Sequence, residues 1–442
     1  MLGLYSLAIQ LATPLLRRKL RRRARSEPGY AQAVPERFGF YESTPRPGDG
    51  ASPLIWIHAV SLGETRAAAI LLKELRQLIP GMRLVLTNGT ATGREEGRKL
   101  LGEGDAQVWQ PWDSPQAVGR FLDHFMPDAG VLMETEIWPN LVAGCKARDI
   151  PLALANARMN EKSWRGAKRW SWLARPAYQG LSAAWAQTDA DARRLADAGA
   201  PVRGAFGNLK FDSVPDAPLL ARGRAWRARA DRPVVLFASS REGEEAAWLD
   251  AWLRQRDAMS ARGQRVQWLL VPRHPQRFDE VIALCAQAGL GVSRRSQWLD
   301  GGPQPADVWL GDTMGEMAQY YGLSHAAMLG GSFEPLGGQN LIEALSCDCP
   351  VVMGPHTFNF AEAAELAADA GVALRVADMQ EGVQEAVRLV NEPERLADLT
   401  SRCHAFTTAH RGAAHSTALA VARLLPQVSQ PVSPPVLPRG RA

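Results

Sequence analysis

The 442 residues hold few cysteines: Cys145, Cys285, Cys347, Cys349 and Cys403. Their number is odd and no C-x-x-C pair occurs, which argues against a disulfide framework or a zinc ribbon. A reducing cytoplasm is the expected compartment. The eight histidines show no H-x-x-x-H spacing and do not cluster with cysteine, so no metal site is expected. There is no G-x-S-x-G elbow and no P-loop. Internal repeats and coiled-coil heptads are also lacking. An apolar run long enough to cross a bilayer is missing too. The longest candidate, Met1–Leu16, carries no formal side-chain charge, but as a helix it spans roughly 24 Å against a hydrocarbon core of roughly 30 Å.

What is present is the composition of a folded protein, 46% hydrophobic and 22% charged. The length calls for two domains. The formal net charge of +5 is concentrated in Arg17, Arg18, Lys19, Arg21, Arg22, Arg23 and Arg25; setting these seven aside leaves about −2. A nucleic-acid surface is therefore not expected. A secretory signal places its positive charges ahead of the apolar run, whereas here they follow it. Residues 1–25 read as a membrane-associated helix, interfacial or shallowly inserted, with the arginines held by anionic lipid on the cytoplasmic side. The competing reading is an amphipathic helix packed on its own domain.

Short β-branched runs alternate with helical patterns along the whole chain. Strands are predicted at Leu54–Val60, Arg83–Thr87, Gly130–Met133, Pro151–Ala155 and Ala183–Gln187. The second half has them at Val234–Ala238, Val266–Val271, Val308–Leu310, Ala326–Leu329 and Val351–Met353. Helices are predicted at Thr65–Leu78 and Ala190–Ala198, among others. This alternation implies an α/β fold of two parallel, doubly wound sheets, with ligands bound beyond the carboxyl ends of the strands, in a cleft between two lobes. The boundary falls in Asp212–Pro233. The expected divisions are 1–25, 26–215, 216–425 and a Pro-rich disordered tail, 426–442.

Residues directly after strands are the candidates for chemistry. His58-Ala-Val-Ser61-Leu-Gly63-Glu64 reads first as a capping box, with Ser61 as N-cap and Glu64 as the third helical residue. The functional alternative has Gly63 admitting a ligand beside Glu64 as general base. Glu134-Thr-Glu136-Ile-Trp138-Pro139-Asn140 ends a strand in two carboxylates, more than capping needs. Asn156-Ala-Arg158 follows the next strand. Lys210, in Gly207-Asn-Leu-Lys-Phe-Asp212, suits a phosphate or carboxylate, or is a solvated loop residue. In the second half, Ser239-Ser240-Arg241-Glu242-Gly243-Glu244-Glu245 offers small residues and free N–H groups for an anion. Pro272-Arg273-His274-Pro275 supplies a guanidinium for a phosphate. Gly311-Asp-Thr-Met314-Gly315-Glu316-Met317 sits at a third strand-to-helix turn. Gly330-Gly331-Ser332-Phe333 leads to Gly337-Gly338-Gln339-Asn340-Leu341-Ile342-Glu343. There Asn340 and Glu343 share one side of a first helical turn, either as a cap or facing a ribose. Asp189-Ala-Asp191 opens a helix after Thr188 and reads as helix-dipole stabilisation before it reads as a metal-binding D-x-D pair.

In this order the motifs resemble those of the Kdo transferases, enzymes that attach 3-deoxy-D-manno-octulosonic acid (Kdo) to a lipid A precursor. The resemblance runs from the N-terminal segment to about Ala409. It implies the GT-B architecture, two Rossmann-like lobes facing a central cleft, with acceptor on the first and donor nucleotide on the second. It implies Glu64 as the catalytic base, against the capping-box preference, and Glu134 and Lys210 as transition-state stabilisers. It implies CMP binding by Pro272, Arg273, Met314, Gly315, Glu316, Asn340, Leu341, Ile342 and Glu343. The implied reaction is inverting transfer of Kdo from CMP-Kdo to lipid IVA in lipopolysaccharide core biosynthesis, without cofactor or metal and without an obligate protein partner. The implied place is the cytoplasmic face of a bacterial inner membrane, in contact with anionic lipid. One departure is visible: Arg241 stands where the family has histidine. Alternative readings are a GT-B relative such as a UDP-sugar epimerase or a lipid A disaccharide synthase, separable by CMP against UDP binding. A non-catalytic sugar-nucleotide sensor would bind without turnover.

Overall fold

The computed structural model describes residues 2–42 and 52–425. The expected disordered tail, 426–442, lies outside the described residues. The described residues form two compact units: those up to 212 together with 411–425, and residues 213–410.

The first unit is built on β1 (Leu54–His58), β2 (Arg83–Asn88), β3 (Ala106–Trp109), β4 (Ala129–Met133), β5 (Leu152–Ala157), β6 (Ala183–Ala186) and β7 (Val202–Ala205). All pair in parallel in the order β3-β2-β1-β4-β5-β6-β7. The order reverses between β1 and β4, and there the loops after the two strands leave the sheet in opposite directions. β1, β4 and β5 are buried along their whole length, as apolar strands covered on both faces must be.

The second unit contains β8 (Val234–Ser240), β9 (Gln267–Pro272), β10 (Val292–Arg294), β11 (Val308–Leu310), β12 (Ala326–Leu329), β13 (Val351–Met353) and β14 (Ala373–Arg375). These are also parallel, in the order β10-β11-β9-β8-β12-β13-β14, with the switch between β8 and β12.

The expected second lobe reached residue 425, but the unit ends at His410. The helix Ala413–Ala422 returns to the first unit, burying Ala414, Ala418 and Val421 in the cluster that includes Leu71 and Leu75. Asp212, the last residue of the first unit's continuous stretch, fixes the crossing: its carboxylate accepts from Ala414 N at 2.7 Å. His415 Nδ1 meets Glu74 at 3.1 Å.

The N-terminal helix runs Leu2–Ser26, and among the described residues no helix is long and apolar enough to cross a membrane. Its start is docked on the first unit, where the Ser6 hydroxyl donates to Asn140 Oδ1 at 2.8 Å. Leu4, Leu7, Leu11 and Leu15 are exposed, and their spacing puts them along one stripe.

Candidate active site

In the first unit, Glu64, Glu134 and Glu136 converge where the loops after β1 and β4 part. Ser61 caps the helix Leu62–Leu78, its Oγ accepting from Glu64 N at 3.4 Å. The Glu64 carboxylate reaches back, Oε2 accepting from Val60 N at 2.6 Å and Oε1 from the Ser61 hydroxyl at 3.3 Å. The capping arrangement expected from spacing is therefore formed, displaced by one residue to the N–H ahead of the N-cap. It leaves Glu64 half-buried, not sealed from solvent. Burial pushes its carboxyl up to about 7; the Val60 N–H and Ser61 hydroxyl oppose the shift, while the charges of Glu134 and Glu136 add to it. A carboxyl titrating near neutrality is suited to take up a proton there, as a general base does.

Gly63 is exposed, does not adopt positive φ, and a Cβ there would meet only Ser61 Oγ, at 3.9 Å. The fold does not demand glycine at this position; its effect is to leave the surface beside Glu64 open.

Glu134 sits at the end of β4 in the left-handed region, φ +57°. Its buried carboxylate lies 3.6 Å from Lys210 Nζ on one oxygen and 3.6 Å from Arg158 Nη2 on the other. Lys210 arrives through a short 3-10 turn, Leu209–Asp212. The turn is held by Asn156, whose Oδ1 accepts from Leu209 N at 3.1 Å, and by Asn208, bonded to Gln187 at 3.1 Å. Glu136 bonds the Trp138 indole at 2.8 Å, and burial raises its carboxyl. The sequence pairs Glu136 with Glu134 as strand-end carboxylates, whereas Arg158 stands in a post-strand motif without a role; its pairing with Glu134 is a tertiary fact with no local signal. His58, fully buried at the end of β1, hydrogen-bonds Thr87, and desolvation lowers it to about 4, so it is neutral.

In the second unit the candidate donor residues lie beyond β9, β11 and β12, on the carboxyl edge of one parallel sheet. Pro272 closes β9; Arg273 follows, half-exposed, its N–H on Ser240 O at 2.9 Å. Its guanidinium has no ion-pair partner among the described residues. Glu316 is clamped by Arg295 at 2.8 Å and Arg222 at 3.1 Å, and receives the Thr313 hydroxyl. Met314 is exposed, and Gly315 has φ +82°. Asn340 caps the helix Leu341–Ser346 and donates to Glu343 Oε1 at 3.0 Å, so the shared face and the cap are both real. Leu341 and Ile342 are fully buried core residues, which leaves only their backbone for a ligand.

In the turn after β8 one N–H, that of Arg241, is taken by the fully buried Glu244, whose carboxylate accepts it at 2.9 Å together with Gly331 N at 2.7 Å and Phe333 N at 3.2 Å from the loop after β12. It joins the turn after β8 to the loop after β12. Gly330 permits the approach, since a Cβ would lie 2.3 Å from Ser239 O. Glu245 is likewise buried, bonded to Ser240 and Arg277.

Asp189 and Asp191 lie in the first turn of a helix capped by Thr188. Thr188 Oγ1 accepts from Asp191 N at 3.1 Å, and the buried Asp191 accepts from Met159 N at 2.8 Å. Among the described residues no group of three or more His, Cys, Asp or Glu is arranged to hold a metal ion.

A family model described as 3-Deoxy-D-manno-octulosonic-acid transferase (kdotransferase) matches residues 32–213. A 3-deoxy-D-manno-octulosonic acid transferase of Bordetella pertussis is 45% identical over 423 residues, covering 94% of this chain and 97% of its own. The chain belongs to the Kdo transferase family. The Haemophilus influenzae transferase of the same name is 32% identical, covering 87% of this chain and 90% of its own. A solved glycosyltransferase from Rickettsia africae, 12% identical with a TM-score of 0.55, covers 85% of this chain and 99% of its own, a likeness of fold. This Kdo transferase thus has the α/β GT-B fold class, and it is a glycosyltransferase.

Proposed function

We propose that this transferase moves Kdo from CMP-Kdo to the lipid A precursor lipid IVA in lipopolysaccharide biosynthesis, with inversion and without a metal. The observation that carries the mechanism is the Glu64 carboxyl, half-buried and raised to about 7, beside the Glu134–Lys210 pair. The acceptor hydroxyl gives its proton to Glu64 as its oxygen bonds the anomeric carbon of Kdo. The bond from that carbon to the phosphate oxygen breaks, its electron pair leaving with CMP. Positive charge builds on the sugar; the Glu134 carboxylate favours it, and Lys210 orients Glu134 and offsets the Kdo carboxylate. CMP is held by Arg273 on phosphate, with Pro272, the Met314–Glu316 turn and the Asn340–Glu343 helix start around the nucleoside. Because the cytidylate leaves as a stable anion, no metal is needed to assist its departure.

The N-terminal helix brings the enzyme to the cytoplasmic face of the inner membrane. Its exposed leucine stripe enters the headgroup boundary, and the arginines that follow meet anionic lipid. Incubation with CMP-Kdo and lipid IVA, read by mass spectrometry of the lipid, tests the whole reading. A mass gain of one or more Kdo units is expected; an unchanged lipid, or equal use of a UDP-sugar, overturns it.

A further inference from the structure

Outside the N-terminal helix, one stretch of the first unit is rich in positive charge. The stretch Glu161–Gln179 carries Lys162, Arg165, Lys168, Arg169 and Arg175 against the single acid Glu161. Setting aside its net four positive charges, together with the seven of the N-terminal run, leaves the rest of the chain at about −6. The stretch forms two helices, Glu161–Arg169 and Ser171–Gln179, joined at Trp170. The first buries none of its residues. Trp170 and Trp172 stand out from the junction at 55% and 36% exposure, their rings edge-to-face with centroids 6.0 Å apart.

This surface is built rather than loose. Asn160 Oδ1 caps the first helix through Ser163 N at 2.8 Å. Asp197, on the helix Asp189–Ala198, accepts from the Trp164 indole at 2.6 Å and pairs with Lys168 at 3.0 Å, while Lys168 lies 3.9 Å from the Trp164 ring centroid. Trp164 is thereby drawn in, while Trp170 and Trp172 are not. Exposed tryptophan costs hydration energy in water, but beside lysine and arginine it suits a bilayer interface, where the indole sits at headgroup level and the cations meet phosphates. The second helix packs against Pro139–Lys146, the same helix that receives the start of the N-terminal helix with its leucine stripe. Both surfaces therefore belong to the first unit and adjoin a common element. The hairpin itself follows β5 and Arg158, so it leaves the edge of the sheet that carries Glu134.

We propose that the hairpin Glu161–Gln179 is a second lipid-docking surface, which lays Trp170 and Trp172 into the headgroup layer of an anionic bilayer. The proposal rests on the membrane reading given above and adds a contact separate from the N-terminal helix. It fixes the rotation of the first unit on the membrane, which a single helix does not do.

The test uses the full chain carrying Trp170→Cys, labelled with an environment-sensitive thiol fluorophore; the native cysteines are all buried, so the label goes to the hairpin. Emission is expected to shift to the blue on phosphatidylcholine vesicles containing phosphatidylglycerol, and not on phosphatidylcholine alone, with high salt reversing the shift. Lys162→Glu with Arg169→Glu should weaken vesicle binding at least about tenfold. A label that stays unshifted while the chain sediments with anionic vesicles overturns the proposal, as does a shift produced by an acidic polynucleotide but not by vesicles. A version with Leu4, Leu7, Leu11 and Leu15 changed to serine separates the two readings. If it binds like the parent, the N-terminal anchor fails; if its bound fraction still shows the shift, the hairpin stands on its own.

Discussion

Val60 donates its backbone N–H to Glu64 Oε2 at 2.6 Å, and this bond joins two roles that the sequence set against each other. A capping carboxylate and a general base place different demands on one side chain. The first needs a carboxylate turned back on the helix start, the second one accessible and poised near neutrality. Glu64 meets both, because the Val60 bond turns it back on the helix start and leaves it half-buried, while desolvation and two neighbouring acids raise its pKa.

That shift has a consequence for stability. The folded-state pKa, about 7, lies above the ordinary 4.5, so the folded protein favours the protonated form. Glu64 therefore costs stability progressively as pH rises from about 4.5 through about 7. Glu64→Gln should remove that cost. Urea unfolding across this range should show the variant gaining on wild type as pH rises, and a constant difference would contradict the shift.

Gly63→Ala should separate stability from activity. The position is exposed, helical and free of positive φ, so alanine should stabilise by up to about 1 kcal/mol. Under the proposed mechanism the added methyl narrows the open surface beside Glu64, so kcat/KM for the lipid should fall while the melting temperature rises.

How much of this was legible in the sequence follows from where each strand lies. The ten strands anticipated from apolar runs are all interior to their sheets. The four missed, β3, β7, β10 and β14, are the four edges. An edge strand is covered less completely, and β7, β10 and β14 each hold partly exposed positions that break the apolar run. The return of Ala413–Ala422 to the first unit was equally hidden, since an alanine-rich apolar helix fits either unit. The post-strand motifs did anticipate that Glu64 and Glu134 lie just beyond strand ends, and the structure adds that Glu134 pairs with Lys210. What they could not show was the internal anion, Glu244. A glycine-rich turn with open N–H groups reads as an anion site, and here a buried carboxylate of the same chain takes the Arg241 N–H and two more from the loop after β12.

Glu244→Ala should leave three backbone N–H groups in the loops after β8 and β12 without their acceptor. A loss of roughly 3 kcal/mol is expected from unpaired buried donors. Glu244→Gln, which keeps one acceptor oxygen, should recover part of it. Thermal unfolding measures both, and CMP titration should show weaker binding in the folded fraction because the loop leading to Asn340 is no longer fixed.

Arg273→Ala should weaken CMP binding by about 10–100-fold, the value of a charge-assisted phosphate contact, with little change in stability, since the guanidinium makes no ion pair within the described protein. Calorimetric titration with CMP and with cytidine distinguishes the cause: cytidine affinity should be unaffected.

The most direct test is the single-turnover rate of Kdo transfer as a function of pH in wild type, Glu136→Gln and Glu64→Gln. Wild type should gain rate along a limb centred near 7. Glu136→Gln removes one of the charges that raise the Glu64 carboxyl, so its limb should move to lower pH, while Glu64→Gln should lose about 10²–10⁴-fold and lose the limb. Transfer by Glu64→Gln at the wild-type rate, with the same pH profile, would contradict the assignment of Glu64 as the base.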